Sequence, residues 1–323
     1  MSVTDHSLSS DRRPVFRIVT PSFNQAKFLE QTIRSVIHQE GRGSEFDLQY
    51  AVIDGGSNDG SVEIIKRYSE HLTYWCSERD RGQSHAINKG FSKVKGDFCA
   101  YINSDDYYLP GAFKRILALA KAQPKADLFH GICQKVDAKG NHLCDQISDI
   151  TRFSQIIDLW NHWLRPDPNR NFIQPEVFWT NRLSGRIGEF NEKLYYTMDF
   201  DYWLRGFNAG MTVAKIEEPL AAFRIHANQK TTAKNASILE LLDRIAPYLT
   251  TDDRRISPEL RLQIQQHSRM SRHIIECANL SPEQRLLSLL SLAGDEPGLL
   301  KSRHYWRQMR RNGKRVFWKR GAA

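Results

Sequence analysis

Short apolar runs and amphipathic stretches alternate along the first hundred residues. Residues 15–20 form a β-rich run stopped by Pro21, and residues 26–38 carry Leu29, Ile33, Val36 and Ile37 at helical spacing. The pattern then predicts a strand over 48–53, a turn over 54–60, a helix over 62–68, a strand over 73–76, a helix over 85–92 and a strand over 97–102. Such alternation implies a mostly parallel sheet flanked by helices, with functional groups gathered beyond the carboxyl ends of the strands. A helix over 112–122 follows, then irregular and β-like segments rich in Trp and Pro, then a helix over 199–208. From about residue 236 the strand signal stops, and 238–249, 258–277 and 282–293 read as helices.

Composition narrows the class. Hydrophobic residues at 40% and charged residues at 26% exclude wholesale disorder and collagen-like repeats. The net charge of +9 equals the nine basic residues between Lys301 and Arg320, and no Asp or Glu follows Glu296. The body is therefore neutral and the tail basic, so no nucleic-acid partner is expected for the body. The tail also carries Tyr305, Trp306, Met309, Val316, Phe317 and Trp318. Two readings stay open for it: an arm for an anionic membrane surface, or a segment that packs back on the helical region or stays unordered. The five cysteines lack a CxxC pair, and no apolar run is long enough to span a bilayer. A reduced cytoplasmic chain, peripheral at most to the membrane, is expected.

Four polar strand ends carry the candidate chemistry: Pro21-Ser22-Phe23-Asn24, the stretch from Asp54 to Gly60, the stretch from Ser77 to Gln83, and Asn103-Ser104-Asp105-Asp106. Adjacent carboxylates at a strand end are costly unless a cation compensates them, and their hard oxygens suit Mg²⁺ or Mn²⁺ on a diphosphate. The alternative is an exposed turn whose aspartates cap a helix. Asp54 could accept hydrogen bonds from a nucleobase or ribose, while Asp59 or Ser61 caps the next helix. Asp201 and Arg205 stand at i and i+4, able to pair on one helix face and leave Asp199 apart.

In order and spacing, these segments resemble the successive motifs of family 2 glycosyltransferases with the GT-A fold. Ala86-Ile87-Asn88-Lys89-Gly90, Gln174-Pro175, the stretch from Met198 to Arg205, and Phe223-Arg224-Ile225-His226 extend the likeness over residues 14–232. The resemblance implies a nucleotide-diphospho-sugar donor, a divalent metal (Mn²⁺ or Mg²⁺) and transfer with inversion to a glycan or lipid-linked acceptor, in surface polysaccharide or glycan synthesis. It places Pro21, Asn24, Asp54, Asp80, Arg81 and Asp105 at the donor, Asp106 at the metal and Asp199 as general base; His226, after the apolar stretch 219–225, could complete the metal shell or reach the diphosphate, or be a satisfied structural histidine. Gln174, Pro175 and Trp179 would lie on the acceptor side, although core burial suits Trp179 equally. Three positions depart from the family pattern: Met198 replaces a frequent Glu, Gly55 a frequent second Asp, and His85 a common Asp.

The expected organisation is a disordered 1–13, a catalytic domain over 14–232 (nucleotide-binding half 14–110, acceptor half 111–232), a helical appendage over 233–300 and a basic aromatic tail over 301–323. Two other functions compete. A nucleotidyltransferase can share this sheet, but it normally has a Gly-rich basic loop after the first strand, which is absent here. A non-catalytic nucleotide-sugar binding module would not need Asp105, Asp106 and Asp199 together.

Overall fold

The computed structural model describes residues 12–164, 170–227, 229, 234–251 and 253–320; side chains at 234, 304 and 314–320 lie outside the description. The chain divides into two compact units. One holds the described residues among 1–156 and 161–232, the other those among 157–160 and 233–323.

The first unit is built on a nine-stranded sheet. Strands β1 (Val15–Ser22), β2 (Asp47–Asp54), β3 (Tyr74–Ser77) and β4 (Phe98–Tyr101) alternate with helices α1 (Ala26–Ile37), α2 (Ser61–Arg67) and α3 (Gln83–Lys93). The later elements are β5 (Tyr107–Tyr108), α4 (Ala112–Ala122), β6 (Leu128–Val136), β7 (His142–Ile147), the short α5 (Phe153–Ile156) and α6 (Leu159–His162), β8 (Phe178–Thr180), α7 (Asn181–Ile187), α8 (Met198–Asn208) and β9 (Val213–Arg224). Strand order is β3-β2-β1-β4-β8-β6-β9-β5, with β7 paired to β6.

The first half is parallel throughout, as the alternating pattern predicts. The second half is not. There β8 runs antiparallel to β4 and β6, β5 antiparallel to β9, and β7 antiparallel to β6, while β6 and β9 are parallel. The expectation of a mostly parallel sheet thus becomes a mixed sheet. Three-residue β8 and two-residue β5 are too short to show a period in sequence.

Phe16 on central β1 anchors the core, stacked on Phe113 (4.6 Å) and Phe98 (5.2 Å) and edge-on to Phe46 (5.1 Å). Helix α3 lies against the same strand because Gly90 has no side chain: a Cβ there would come within 2.4 Å of Val19 Cγ1. Chain order reverses at β1, which has β2 on one side and β4 on the other. Loops at such a switch point splay apart and leave a crevice.

Residues 1–11, part of the segment expected to be disordered, lie outside the described residues. Arg12 and Arg13 are held by ion pairs to Asp97 (2.6 Å) and Asp47 (3.0 Å).

The second unit is helical: α9 (Lys234–Thr250), α10 (Pro258–Glu276), α11 (Pro282–Asp295) and α12 (Arg303–Arg320). Two helix starts are explicit in the sequence. Ser257 and Ser281 each accept the backbone N–H three residues on, each with Pro at the first helical position, and Gln284 closes a reciprocal capping box. Met270, Leu289, Ala293, Leu299 and Tyr305 form this unit's core, so the beginning of the tail packs back as one of the two readings expected. No helix among the described residues is long and apolar enough to cross a membrane.

Candidate functional site

The crevice at the switch point holds a cavity of about 370 Å³, walled by the strand ends the sequence singles out. Pro21, Ser22, Phe23 and Gln25 come from the loop after β1, Asp80, Gly82 and Gln83 from the loop after β3, and Asn103, Ser104 and Asp105 from the loop after β4. Tyr195, Phe223 and Gln229 close it from the second half of the sheet.

Polar side chains fix these loops to one another. Asn24 takes a left-handed backbone (φ 52°), which Asn tolerates better than most residues. Its N–H donates to Ser57 Oγ (2.7 Å) and its Oδ1 accepts from Asn58 N–H (3.1 Å). Asp59 accepts from Ala26 N–H (2.9 Å) and from Ser61 Oγ (2.6 Å), so it ties α1 to α2, while the cap position of α2 is Gly60 and neither Asp59 nor Ser61 fills it as expected. Of the expected donor contacts, Pro21 and Asp80 line the cavity, whereas Asn24 acts as a loop clamp.

Asp54 differs from expectation. It is fully buried and absent from the cavity wall. Its carboxylate accepts from Gly56 N–H (3.1 Å), Ser57 N–H (2.8 Å), Ser57 Oγ (2.5 Å) and Ser77 Oγ (2.6 Å). Its geometry is that of a loop organiser with its acceptors spent on the chain itself. Asp54→Ala is therefore expected to leave several donors unpaired and cost about 3 kcal/mol of stability, read as a lowered denaturation midpoint. An unchanged midpoint would contradict this role.

The departure at Gly55 has a steric reason. A Cβ on Gly55 would lie 2.9 Å from Asp80 Oδ2 and 3.3 Å from Phe23 Cδ2, so Asp80 takes the space that a second Asp would fill. Met198 likewise fills a buried seat, its Sδ accepting from Ser84 Oγ (2.9 Å) on α3. Arg81 is exposed and turned to Glu192 (2.7 Å) rather than into the cavity.

The two adjacent aspartates split in a way opposite to the expected one. Asp105 faces the cavity, and its Oδ2 lies 2.9 Å from His226 Nε2. Asp106 is 1% exposed, accepts Arg224 N–H on Oδ1 (2.9 Å), and has no partner for Oδ2. Burial, and then repulsion from Asp105, pushes the Asp106 carboxyl well above the usual carboxylate range. Asp106 is buried away from the cavity wall, so the fold presents Asp105 rather than Asp106 to a ligand there, and His226 pairs with Asp105. Asp105 and His226 together offer one carboxylate oxygen and one imidazole nitrogen, a set suited to Mn²⁺ when diphosphate and water fill the other positions. Among the described residues, no group of three or more His, Cys, Asp or Glu gathers around one point.

Arg224, quoted in a motif but given no role from sequence, organises this turn. Its Nε donates to Asp105 O (2.8 Å), its Nη2 to Gln31 Oε1 (2.7 Å), and its guanidinium lies over Phe28 (4.5 Å). The compensating cation inferred from the paired carboxylates is thus in part a protein side chain. Its signal was present: an Arg at the end of an apolar run, two residues before His226.

Asp199 begins α8 and is half-buried; its Oδ1 accepts Phe200 N–H (2.7 Å). It is not among the cavity-lining residues. Its charge reaches the Tyr101 hydroxyl, which burial, then Asp199, then Asp106 push well above the tyrosine range. Tyr195, four residues earlier, lines the cavity. Asp201 pairs with Arg205 at 2.9 Å, as the i, i+4 spacing predicts, and Arg205 also donates to Glu189 O (2.8 Å).

Gln174 and Trp179 are buried. Gln174 Nε2 donates to Tyr101 O, bracing the strand end ahead of Asp105, and Trp179 packs in the core against Phe91, Tyr202 and Trp203. Core burial, one of the two readings held for Trp179, is the one found. Glu176 beside Gln174 is fully buried, and burial raises its carboxyl well above the usual range against the Ile173 N–H bond, Lys135 and Lys215. The folded protein keeps a proton there that the unfolded chain loses, so this group's contribution to stability falls as pH rises above about 4.5. Glu176→Gln keeps the acceptor for Ile173 N–H and removes that penalty. The variant's melting temperature is expected to exceed that of the native sequence by a margin that grows from pH 5 to pH 8; a margin that shrinks would contradict the assignment.

A parallel sheet half, a switch-point cavity and a carboxylate turn at the end of β4 are features of the GT-A fold. The profile of "Glycosyl transferase family 2" matches residues 17–167. The chain is 27% identical over 224 residues to an uncharacterized glycosyltransferase of Rickettsia prowazekii, covering 69% of this chain and 68% of that one. It is 23% identical over 217 residues to one of Methanocaldococcus jannaschii, covering 66% and 71%. Among solved structures, S. aureus TarS 1–349 in complex with UDP-GlcNAc superposes with a TM-score of 0.58 at 15% identity, covering 86% of this chain and 80% of that one. The chain spans 43% of the longer TarS structure. The mannosyltransferase PcManGT from Pyrobaculum calidifontis, in complex with GDP-Man and Mn²⁺, superposes with a TM-score of 0.56 at 14% identity, covering 95% and 86%.

Proposed function

We propose that the protein is an inverting glycosyltransferase that moves a sugar from a nucleotide-diphosphate donor to an acceptor hydroxyl by direct displacement. The observation that carries this reading is the cavity at the switch point, with Asp105 on its wall, His226 2.9 Å from Asp105, and Tyr195, four residues ahead of Asp199, also on its wall.

Asp105 and His226 would hold the divalent ion, which supplies charge neutralisation to the departing diphosphate. Asp199 takes the proton of the acceptor hydroxyl as its oxygen bonds to the anomeric carbon. The bond from that carbon to the diphosphate oxygen breaks, and the electron pair leaves with the nucleoside diphosphate. An alcohol is a weak nucleophile with a very high pKa, so a carboxylate positioned for its proton is required. A single displacement needs no covalent intermediate and inverts the centre.

Tyr195 is 55% exposed on the cavity wall, with Tyr196 edge-on at 4.7 Å behind it. An exposed aromatic face beside a sugar site can stack on a pyranose ring. Tyr195→Ala is expected to raise KM for a sugar substrate three- to tenfold with the melting temperature unchanged; an unaltered KM for donor and acceptor would remove Tyr195 from the site. Surface polysaccharide or glycan synthesis, with a glycan or lipid-linked acceptor, remains the reading for the biological role.

The proposal is tested by stereochemistry. When donor hydrolysis is followed by proton NMR, the sugar first released should carry the anomeric configuration opposite to that of the donor. First release with retained configuration would overturn single displacement.

A further inference from the structure

The helix that opens the tail has two unlike faces. On α12, Tyr305 is fully buried and packs with Leu289 and Leu299, its hydroxyl donating to Leu289 O (3.2 Å), while Met309 packs beside it and Asn312 is buried. Arg303, Trp306, Arg307, Arg310 and Arg311 are exposed. At about 100° per residue these five fall within roughly 140° of the helix circumference, opposite Tyr305, Met309 and Asn312. None of the four arginines is ion-paired to a described residue.

The exposed face is not uniformly polar. Trp306 is 45% exposed with its indole N–H already bonded to Leu300 O (2.7 Å), so its ring faces outward without an unpaired donor. In the same unit Leu287 (67% exposed) and Leu290 (50%) stand at i and i+3 on α11, and Leu300 is exposed before α12. A solvent-facing tryptophan between unpaired arginines, and exposed leucines in the same unit, are apolar groups left to water. They fit an interface with apolar depth beneath an anionic surface.

We propose that the outward face of α12, with Trp306 as its apolar anchor and Arg303, Arg307, Arg310 and Arg311 as its cationic rim, docks the protein on an anionic lipid surface. A lipid surface is favoured over nucleic acid because phosphates along a strand reward charge alone, whereas this face also exposes the indole ring of Trp306.

Because Tyr305 fills the core of its unit, removing the tail would damage the fold, and the test keeps the full chain. Co-sedimentation with phosphatidylcholine vesicles, with and without phosphatidylglycerol, is compared for the native sequence, for the combined variant Arg303→Gln, Arg307→Gln, Arg310→Gln, Arg311→Gln, and for Trp306→Ser. The native protein should bind vesicles containing phosphatidylglycerol, and NaCl should weaken that binding. The combined variant should lose at least 100-fold in partition coefficient and Trp306→Ser about tenfold, since each basic residue near such a surface is worth about fivefold. Circular dichroism and donor binding should be unchanged in both. Native binding that is equal with and without phosphatidylglycerol overturns the proposal. So does a combined variant that binds as well as the native protein, or capture of a single-stranded RNA oligonucleotide without vesicle binding. The native comparison and Trp306→Ser decide the matter even if the combined variant fails to fold.

Discussion

Asp199→Asn is expected to bind donor as well as the native sequence and to lose transfer by about 100-fold or more, the scale of removing a general base. Asn keeps an oxygen to accept the Phe200 N–H, so the start of α8 should survive the change. The loss should therefore fall on kcat, while the donor dissociation constant stays within a factor of about two. Asp201→Asn is the control: Asp201 is buried and paired with Arg205, so its loss should lower the melting temperature more than it lowers kcat. Full transfer by Asp199→Asn would move the base to another carboxylate.

Asp105→Asn and Asp106→Asn should separate sharply. Asp105 faces the cavity beside His226, and its neutral analogue should weaken Mn²⁺-dependent donor binding by about 10- to 100-fold, the value of one charge-assisted contact. Asp106 is buried and off the cavity wall, so donor binding should change less than threefold in its Asn variant. Isothermal titration of nucleoside diphosphate with Mn²⁺ and with EDTA reads both variants. Loss of metal dependence in Asp106→Asn with retention in Asp105→Asn would return the metal to Asp106.

What sequence conveys about this molecule follows the range of each physical signal. The parallel half was legible because period 2 and period 3.6 alternate cleanly there, and α4 over Ala112–Ala122 has the bounds the apolar spacing predicts. Its loops were legible as polar strand ends, and the Asp201–Arg205 pair as an i, i+4 spacing. The split between Asp105 and Asp106 was not, because neighbours in sequence can face opposite environments and only the fold says which is buried. Asp54 follows a related pattern: a strand-end carboxylate that binds a ligand and one that binds its own loop share a residue type and position, and only the fold shows its bonds to Ser57 and Ser77. Tyr195 carried no motif, since its exposure on the cavity wall depends on the sheet's second half, where strands of two and three residues leave little periodicity.

The most direct measurement is nucleoside diphosphate release from a panel of UDP-, GDP- and dTDP-sugars with Mn²⁺, run beside pyrophosphate release from the matching nucleoside triphosphates and sugar phosphates. The account predicts nucleoside diphosphate release from at least one donor, abolished by EDTA and reduced in Asp199→Asn. Pyrophosphate release without donor cleavage would make the protein a nucleotidyltransferase, and binding without release of either product would make it a binding module; each contradicts the account.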